Sequence, residues 1–555
     1  MTDRRSVYYI VDAAAVAAAA IAVAIAITGG WITTVGGVRI SATSASGAVA
    51  VALALLGIRA AFGSGRFLAI PACDVDRIRR ASLEAWRFIG ARLQSDRAAF
   101  HLVLFVAAAS LAAKLANIVV HGGFWTGDDV EIHEMTLGRL FGAPWPVWDL
   151  RCAFYPMVFV YPVQAAVFKT GWHDVTALVF AARAMLAVWS TVDIIMVYAI
   201  GARLWTAPVG AYAAVFLACA KLGLIAGSVE LPAAVASGLL LIAFWLLHED
   251  RGVRADVAIA AIALGSAAAL RFSESIFLLP AAATLVLRRQ PSRAVVLVGL
   301  AVATALCIIG TADAWYWGQP FYSLRHVVDF TLVRRLSSRG YQPWYEYLNL
   351  NAWTDIVTAG LALYAIAARQ WRIALWTWLP VLTLSVLPHK ESRYLMPMIP
   401  FLALSAGVGF AEISRRMLAA ARPAAAGRMA AALWVACALG AALEIRGFNF
   451  HRTEADVRLA ERLSEDGTLT GAAVEQLWRM GGHLYFPASA TLVDLDRARF
   501  AEPAFLPTVV ANPAIRWILL LKIDPPLEKT LGDAGFVGSE ISGDTGSTYR
   551  AYRRR

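Results

Sequence analysis

Long apolar runs alternate along the chain with short basic segments and long mixed ones. Most runs hold 16 to 22 residues, enough to cross a bilayer as a helix. The pattern predicts an all-α polytopic membrane protein. Spans are expected near 8–29, 47–62, 98–119, 175–200, 208–226, 231–247, 255–270, 274–287, 294–311, 352–368, 374–387, 394–413 and 430–446, thirteen in all. Two of these have only 14 residues, about 21 Å of helix, so they borrow flanking residues or lie beside thinner membrane.

Charge sets the orientation. Residues 63–97 carry Arg66, Arg77, Arg79, Arg80, Arg87, Arg92 and Arg97, the mark of a cytoplasmic segment. Counting onward puts the N-terminus inside and the C-terminus outside. The expected inside loops are short and basic, with Arg203; Arg251 and Arg254; Arg288, Arg289 and Arg293; Arg369 and Arg372; and Arg415, Arg416, Arg422 and Arg428. The expected outside segments, 120–174, 312–351, 388–393 and 447–555, are mostly long, aromatic and mixed in charge. Long loops on one face are where a membrane enzyme keeps its chemistry. Residues 447–555 have ordinary polarity, with helix-like stretches at 454–465 and 525–534 and a strand-like run Trp517–Lys522. They read as a small extracytoplasmic α/β domain for structural support or acceptor binding.

Composition agrees. Of 555 residues, 59% are apolar and 16% charged, which excludes a disordered chain and argues against an ordinary soluble enzyme. The net charge of +11 belongs to membrane topology and not to nucleic acid, because the arginines sit between apolar runs. Arginine and alanine, with GC-rich codons, far outnumber lysine, which suggests a bacterial source. The cysteines Cys73, Cys152, Cys219, Cys307 and Cys437 are scattered and form no CxxC pair, so neither a disulfide framework nor a zinc site is expected.

Three clusters could carry chemistry. The first is Gly127-Asp128-Asp129-Val130-Glu131-Ile132-His133-Glu134. Crowded carboxylates raise at least one pKa unless a cation is near, and one held at the membrane surface can act as a general base. A solvated acidic loop or a cation site is the alternative. The second comprises intramembrane charges. Arg183 and Asp193 share a span but stand about 15 Å apart along it, so each is expected to find another partner. Glu230 and Arg271 stand at outer span ends. The third is Pro388-His389-Lys390-Glu391-Ser392-Arg393-Tyr394, with Pro397 and Pro400 behind it. Pro388 favours a helix start, where backbone N–H groups attract anions. His389 and Arg393, spaced i, i+4, would then share a face. With Lys390 they suit a phosphodiester or diphosphate leaving group. The aromatic stretch Trp148–Pro156 suits an interfacial helix or a belt anchor, while Asp313–Pro320 and Gln342–Tyr347 suit sugar stacking or burial at the interface equally.

His389 to Tyr394 with Pro397 and Pro400 resembles the HKExRF…P…P signature of the Alg9-like mannosyltransferases, glycosyltransferase family 22. Other elements agree in order across residues 98–446. Asp128-Asp129 resembles the family's acidic pair. Leu150-Arg151 through Tyr155-Pro156 resembles its LRSxxYP element, and Arg183 and Asp193 its R…D span. Asp313 to Gly318 resembles D…YG, and Pro343-Trp344-Tyr345 resembles PWHWY. The sequence departs in three places. Gly227-Ser228-Val229-Glu230 lacks the arginine of the family's RT..NS.E element, Phe272 replaces the proline after Arg271, and the acidic pair is DD.

The resemblance implies a GT-C fold and an inverting glycosyltransferase using a polyprenyl-phosphate sugar, without nucleotide sugar, cofactor or bound metal. Asp128 would be the base, with Asp129 as the alternative. His389, Lys390, Arg393 and Arg271 would bind the donor phosphate, with Glu391 orienting Lys390 or His389. Glu230, Asp313 and Arg151 would support them. The expected partners are the lipid-linked donor, a glycolipid or glycan acceptor and membrane lipids, with no nucleic acid. The expected organisation is a two-helix extension at 1–97, a catalytic module at 98–446 and the outer domain at 447–555. A bacterial cell membrane, with the site on the outer face, is the expected location. The rival readings are a transporter or lipid flippase, a GT-C enzyme for another lipid-linked sugar, and an inactive scaffold.

Overall fold

The computed structural model describes residues 96–120, 122–143, 145, 147, 150–249, 254–334, 342–349, 354–387, 390–419, 453–465, 467, 469–477, 481–523 and 525–555, and the backbone of 31–35 and 38–42. Strands β1 (Trp31–Val35) and β2 (Val38–Ala42) pair antiparallel, an element the apolar pattern did not suggest. The spans expected at 8–29, 47–62 and 430–446, most of the basic segment 63–97, and Cys73, Cys437, Trp148, Asp149, Pro388 and His389 lie outside the described residues.

The body is helical: α1 (Asp96–Val120), α2 (Gly127–Phe141), α3 (Tyr161–Lys169), α4 (Val175–Leu204), α5 (Ala207–Cys219), α6 (Lys221–Ala226), α7 (Ala233–His248), α8 (Arg254–Leu270), α9 (Leu278–Leu287), α10 (Pro291–Trp317), α11 (Tyr322–Val328), α12 (Ile356–Ala367), α13 (Trp371–Val386) and α14 (Ile399–Ala419). Among the described residues, four stretches are long and apolar enough to cross a membrane: Ala99–Val120, Val175–Leu204, Pro291–Trp317 and Ser392–Met417. Start signals are readable in the sequence. The Asp174 carboxylate accepts from the Ala177 N–H at 3.1 Å, and Asp355 from the Thr358 N–H at 2.7 Å, each meeting a backbone donor that a first helical turn leaves unpaired.

Without a strong hydrophobic drive between helices in lipid, close approach of small residues holds them together. At the α4–α5 crossing a Cβ on Gly210 would lie 2.3 Å from the Tyr198 carbonyl oxygen, and one on Gly201 would lie 2.6 Å from the Gly210 Cα. Deeper in the bundle, Trp376 packs edge-on against Phe244 with centroids 5.3 Å apart, and Phe401 lies 5.4 Å from Trp376. The Trp376 indole N–H donates to Thr284 Oγ1 at 3.1 Å. This cluster ties α7, α9, α13 and α14 together beneath the chain that enters α14.

Two expected elements differ. The span read at 208–226 breaks at Ala220, whose ψ of 127° ends α5 and starts α6. The turn after α6 packs Gly227 onto Ser190 and Lys114 and directs Glu230 toward Arg183, so a tertiary ion pair overrides apolar continuity. The α-helix expected through residues 390–394 does not form there. Glu391 is extended (φ −141°, ψ 144°), and Ser392–Met398 form a 3-10 helix. Pro397 and Pro400 remove backbone donors that a continuous α-helix would need, so Arg393 does not stand on an α-helix.

The C-terminal part starts with α15 (Glu454–Glu465) and adds β3 (Gly471–Glu475), β4 (Thr491–Leu495), β5 (Trp517–Leu520), β6 (Phe536–Ser539) and β7 (Arg550–Arg554). The strand order is β4-β3-β5-β7-β6, parallel among β4, β3 and β5, and antiparallel around β7. Along β5, Trp517 and Leu519 join one apolar core while Ile518 and Leu520 join another, as a strand covered on both faces must. This unit is docked on α2. Val457 and Leu484 pack with Phe124, Val130 and Leu137. The Phe124 N–H donates to Thr453 Oγ1 at 2.9 Å. Gly481, at φ +65°, comes so near that a Cβ would lie 2.5 Å from the Phe124 ring.

The helix crossing provides a first prediction. Gly210→Val should destabilise the protein by about 1–3 kcal/mol, read as a lowered melting temperature in detergent. Gly299→Val, facing open space on α10, should leave it unchanged.

Candidate active site

The acidic cluster is a helix and not a solvated loop. α2 opens with a capping box at Thr126, and Asp129 lies at its third position. The Asp129 carboxylate accepts from the Trp125 and Thr126 backbone N–H groups at 3.0 and 3.3 Å and from Thr126 Oγ1 at 3.0 Å. It is fully buried. Burial, the nearby Glu230 and the adjacent Asp128 push its pKa up to about 7 despite these bonds.

Asp128 points the other way and stays partly open, with 16% of its side chain exposed. Its Oδ2 lies 2.6 Å from Arg393 Nη1 and its Oδ1 lies 3.2 Å from Arg151 Nη2. Burial would raise its pKa, but Arg393, Arg151 and Arg271 outweigh that and hold it below the usual carboxylate range. Arg393 also pairs with Glu391 at 2.7 Å. Arg271 donates to the Arg393 carbonyl oxygen at 3.2 Å and lies 4.6 Å from the Tyr394 ring centroid. Arg151 donates to Glu131 from Nε and Nη2 at 3.1 and 2.6 Å. Burial nonetheless pushes Glu131 up to about 7. On the protonated side of that value, three guanidiniums, of Arg393, Arg151 and Arg271, face two ionised carboxylates, Asp128 and Glu391.

The other expected residues sit as follows. Glu230 lies behind the acidic pair. Its Oε1 accepts from Arg183 Nε at 2.6 Å and lies 2.8 Å from His133 Nε2. Arg183 also donates to the Gly123 carbonyl oxygen at 2.6 Å. Gln164 lies 3.0 Å from His133 Nδ1. Lys390 turns its ammonium to the carbonyl oxygens of Gln342, at 3.1 Å, and Leu387. Glu391 pairs with Arg393, while the Lys390 ammonium goes to those carbonyls; His389, the other expected partner of Glu391, lies outside the described residues. Asp313 stands apart from these ion pairs. Its carboxylate accepts from the Ser323 N–H and Oγ at 2.9 and 2.7 Å, which anchors the start of α11. Arg183 and Asp193 do not pair with each other, as expected.

Three side chains outside the expected set complete the arrangement. His133 bridges Gln164 and Glu230. Tyr347 exchanges hydrogen bonds with the Glu391 backbone at 3.1 Å, tying the aromatic loop 342–349 to the 390–394 stretch. His483, fully buried, reaches from the C-terminal domain to Glu134, 2.8 Å away. No local sequence signal links Glu134 to His483. The histidine in the acidic run was the only hint of the His133 network.

An acidic helix beside a cationic turn, on a helical body with segments of membrane-spanning length, is an arrangement a GT-C glycosyltransferase would use. Comparisons agree. The chain is similar in fold to ArnT from Cupriavidus metallidurans bound to undecaprenyl phosphate, with a TM-score of 0.59 at 13% identity, covering 81% of this chain and 97% of that one. The apo state of the same protein gives a TM-score of 0.57 over the same shares at 13% identity. No curated protein sequence matches. The model of the Alg9-like mannosyltransferase family matches residues 130–465, and the chain belongs to that family. The transporter reading falls with this membership.

Asp129 gives a pH prediction. A carboxyl whose folded pKa is about 7 against 3.8 unfolded holds a proton in the native state that the unfolded chain releases. Its stabilising contribution is complete below 3.8 and is lost as pH rises through about 7. Glu131 acts in the same direction. The melting temperature should be higher at pH 5.5 than at pH 8, and Asp129→Asn should narrow that gap. An unchanged gap would refute the assigned shift.

Proposed function

We propose that this enzyme transfers mannose from a polyprenyl-phosphate donor to a hydroxyl of a lipid-linked or envelope glycan, by single displacement with inversion. It would act on the outer face of a bacterial cell membrane, with the N-terminus cytoplasmic and the C-terminal domain outside. The observation that carries this reading is the 2.6 Å contact between Asp128 and Arg393, which joins a solvent-reachable carboxylate to a cluster of guanidiniums. The bound undecaprenyl phosphate in the ArnT structure supports a lipid phosphate as the anion that cluster would receive.

Asp128 is the general base in this scheme. Asp129 is the weaker candidate, because it is sealed from solvent and its oxygens serve the start of α2. The acceptor hydroxyl loses its proton to Asp128 as its oxygen attacks the sugar carbon, and the bond to the phosphate oxygen breaks. Arg393 and Arg271 then steady the departing lipid phosphate where negative charge develops. Lys390 would join them by leaving the Gln342 and Leu387 carbonyl oxygens, with His389 as the fourth proposed phosphate ligand. In the resting arrangement Arg393 and Arg151 make Asp128 a poor proton acceptor. An arriving phosphate competes for Arg393, and the proton affinity of Asp128 rises as that partner is shared. Arg151, Glu391 and Glu230 act as supports. Asp313 supports through the placement of α11.

The test is transfer from synthetic polyprenyl-phosphate mannose by purified variants. Asp128→Asn should fold normally and lose about 10²–10⁴-fold in rate. Arg393→Ala should raise the donor KM and lower kcat. If Asp128→Asn transfers at the wild-type rate while Asp129→Asn does not, the two roles are reversed. Wild-type transfer from another lipid-phosphate sugar, with none from mannose, would overturn the donor assignment.

A further inference from the structure

The C-terminal sheet carries a second charged feature away from Asp128. Its contacts with α2 involve Leu484 and Leu492, and Leu492 lies on edge strand β4. The opposite edge is β6, about 19 Å away at the usual strand spacing. There, a groove of about 460 Å³ opens among β6, the end of β7 and the residue before β5. It is lined by Arg516, Val537, Ser539, Arg553, Arg554 and Arg555.

The register aligns Trp517, Arg553 and Val537 across the sheet. Two-residue alternation places Arg555 and Ser539 on that same face. The Arg553 guanidinium lies 5.6 Å from the Trp517 ring centroid. Arg554 turns to the other face. It lies 4.7 Å from the Phe536 ring centroid and donates to the Ile515, Val510 and Asn512 carbonyl oxygens at 3.0, 2.6 and 2.8 Å. These bonds fix the backbone between its two neighbours, so Arg553 and Arg555 project from a rigid strand. Among the described residues no carboxylate forms an ion pair with Arg516, Arg554 or Arg555. Several guanidiniums lining one groove raise the local potential and draw an anion. Guanidiniums meet phosphate oxygens with paired N–H donors. The volume exceeds a bare ion and falls in the range of small-ligand sites, and exposed Val537 adds an apolar wall.

We propose that this groove binds phosphate groups, carried by a soluble phosphorylated glycan or by a lipid headgroup, at a site separate from Asp128. The inference does not depend on the donor proposed above. The test uses the full-length protein. Sodium pyrophosphate is titrated calorimetrically, at constant ionic strength, into the wild type and into Arg516→Gln/Arg553→Gln/Arg555→Gln. The Asp128 cluster can also bind pyrophosphate, so the readout is the difference between the two proteins. The wild type should show a binding event that the variant lacks or binds at least about tenfold more weakly. The triple lysine variant should keep it, and sugar transfer should persist in both variants. A second arm compares melting temperatures in nanodiscs of phosphatidylcholine alone and with phosphatidylglycerol. A phosphatidylglycerol-dependent rise lost in the glutamine variant assigns the site to lipid headgroups. Loss of pyrophosphate binding without such a rise assigns it to soluble phosphate. Should the triple variant fail to fold, Arg516→Gln/Arg555→Gln carries the comparison. Identical isotherms and identical lipid responses for wild type and a folded variant overturn the proposal.

Discussion

Charge compensation on one short helix governs this structure. α2 brings four carboxylates and a histidine within seven residues, and most of them are buried. All but Asp129, which its own helix start holds, are met from elsewhere in the chain. Asp128 meets Arg393 and Arg151, Glu131 meets Arg151, and Glu134 meets His483. His133 meets Glu230, which Arg183 holds in turn. Removing one partner from the fully buried Arg183–Glu230 pair leaves a charge that water cannot reach, at a cost of about 3–5 kcal/mol. The helix can stand where it does only if α4, the 390–394 stretch and the C-terminal domain all arrive.

That dependence gives the C-terminal domain its place. It carries no motif, and from sequence alone it could have been a loose appendage. Gly481 and Thr453 bring it against Phe124, and His483 passes through the contact to Glu134. Phe124 in turn lies under Arg183, 5.4 Å from the ring centroid to the guanidinium. Packing of the outer domain and the geometry of the acidic helix are therefore parts of one network.

Asp128 and Asp129 are neighbours of one residue type in opposite environments. Asp129 faces its own helix start and three hydrogen-bond donors, is shut from solvent, and holds its proton near neutrality. Asp128 faces three guanidiniums, is partly open, and stays ionised. Composition cannot separate them. The capping geometry does, because the third position of a helix that starts at Thr126 must fold back to the backbone while the second projects outward.

The apolar runs determined by themselves that this is a helical membrane protein, and local chemistry marked helix starts at Asp174 and Asp355. The ordered motifs from Asp128 to Tyr394 were enough to place the chain among the Alg9-like enzymes. These features are legible because they rest on spacing and composition within a few turns. The Asp128–Arg393 contact joins residues 265 positions apart, and Glu134–His483 joins residues 349 apart. Neither partner changes the local pattern around the other. The break at Ala220 and the 3-10 entry at Ser392 likewise answer to distant partners and to prolines. Such buried contacts between polar side chains depend on where whole helices come to rest, so only the tertiary structure decided them.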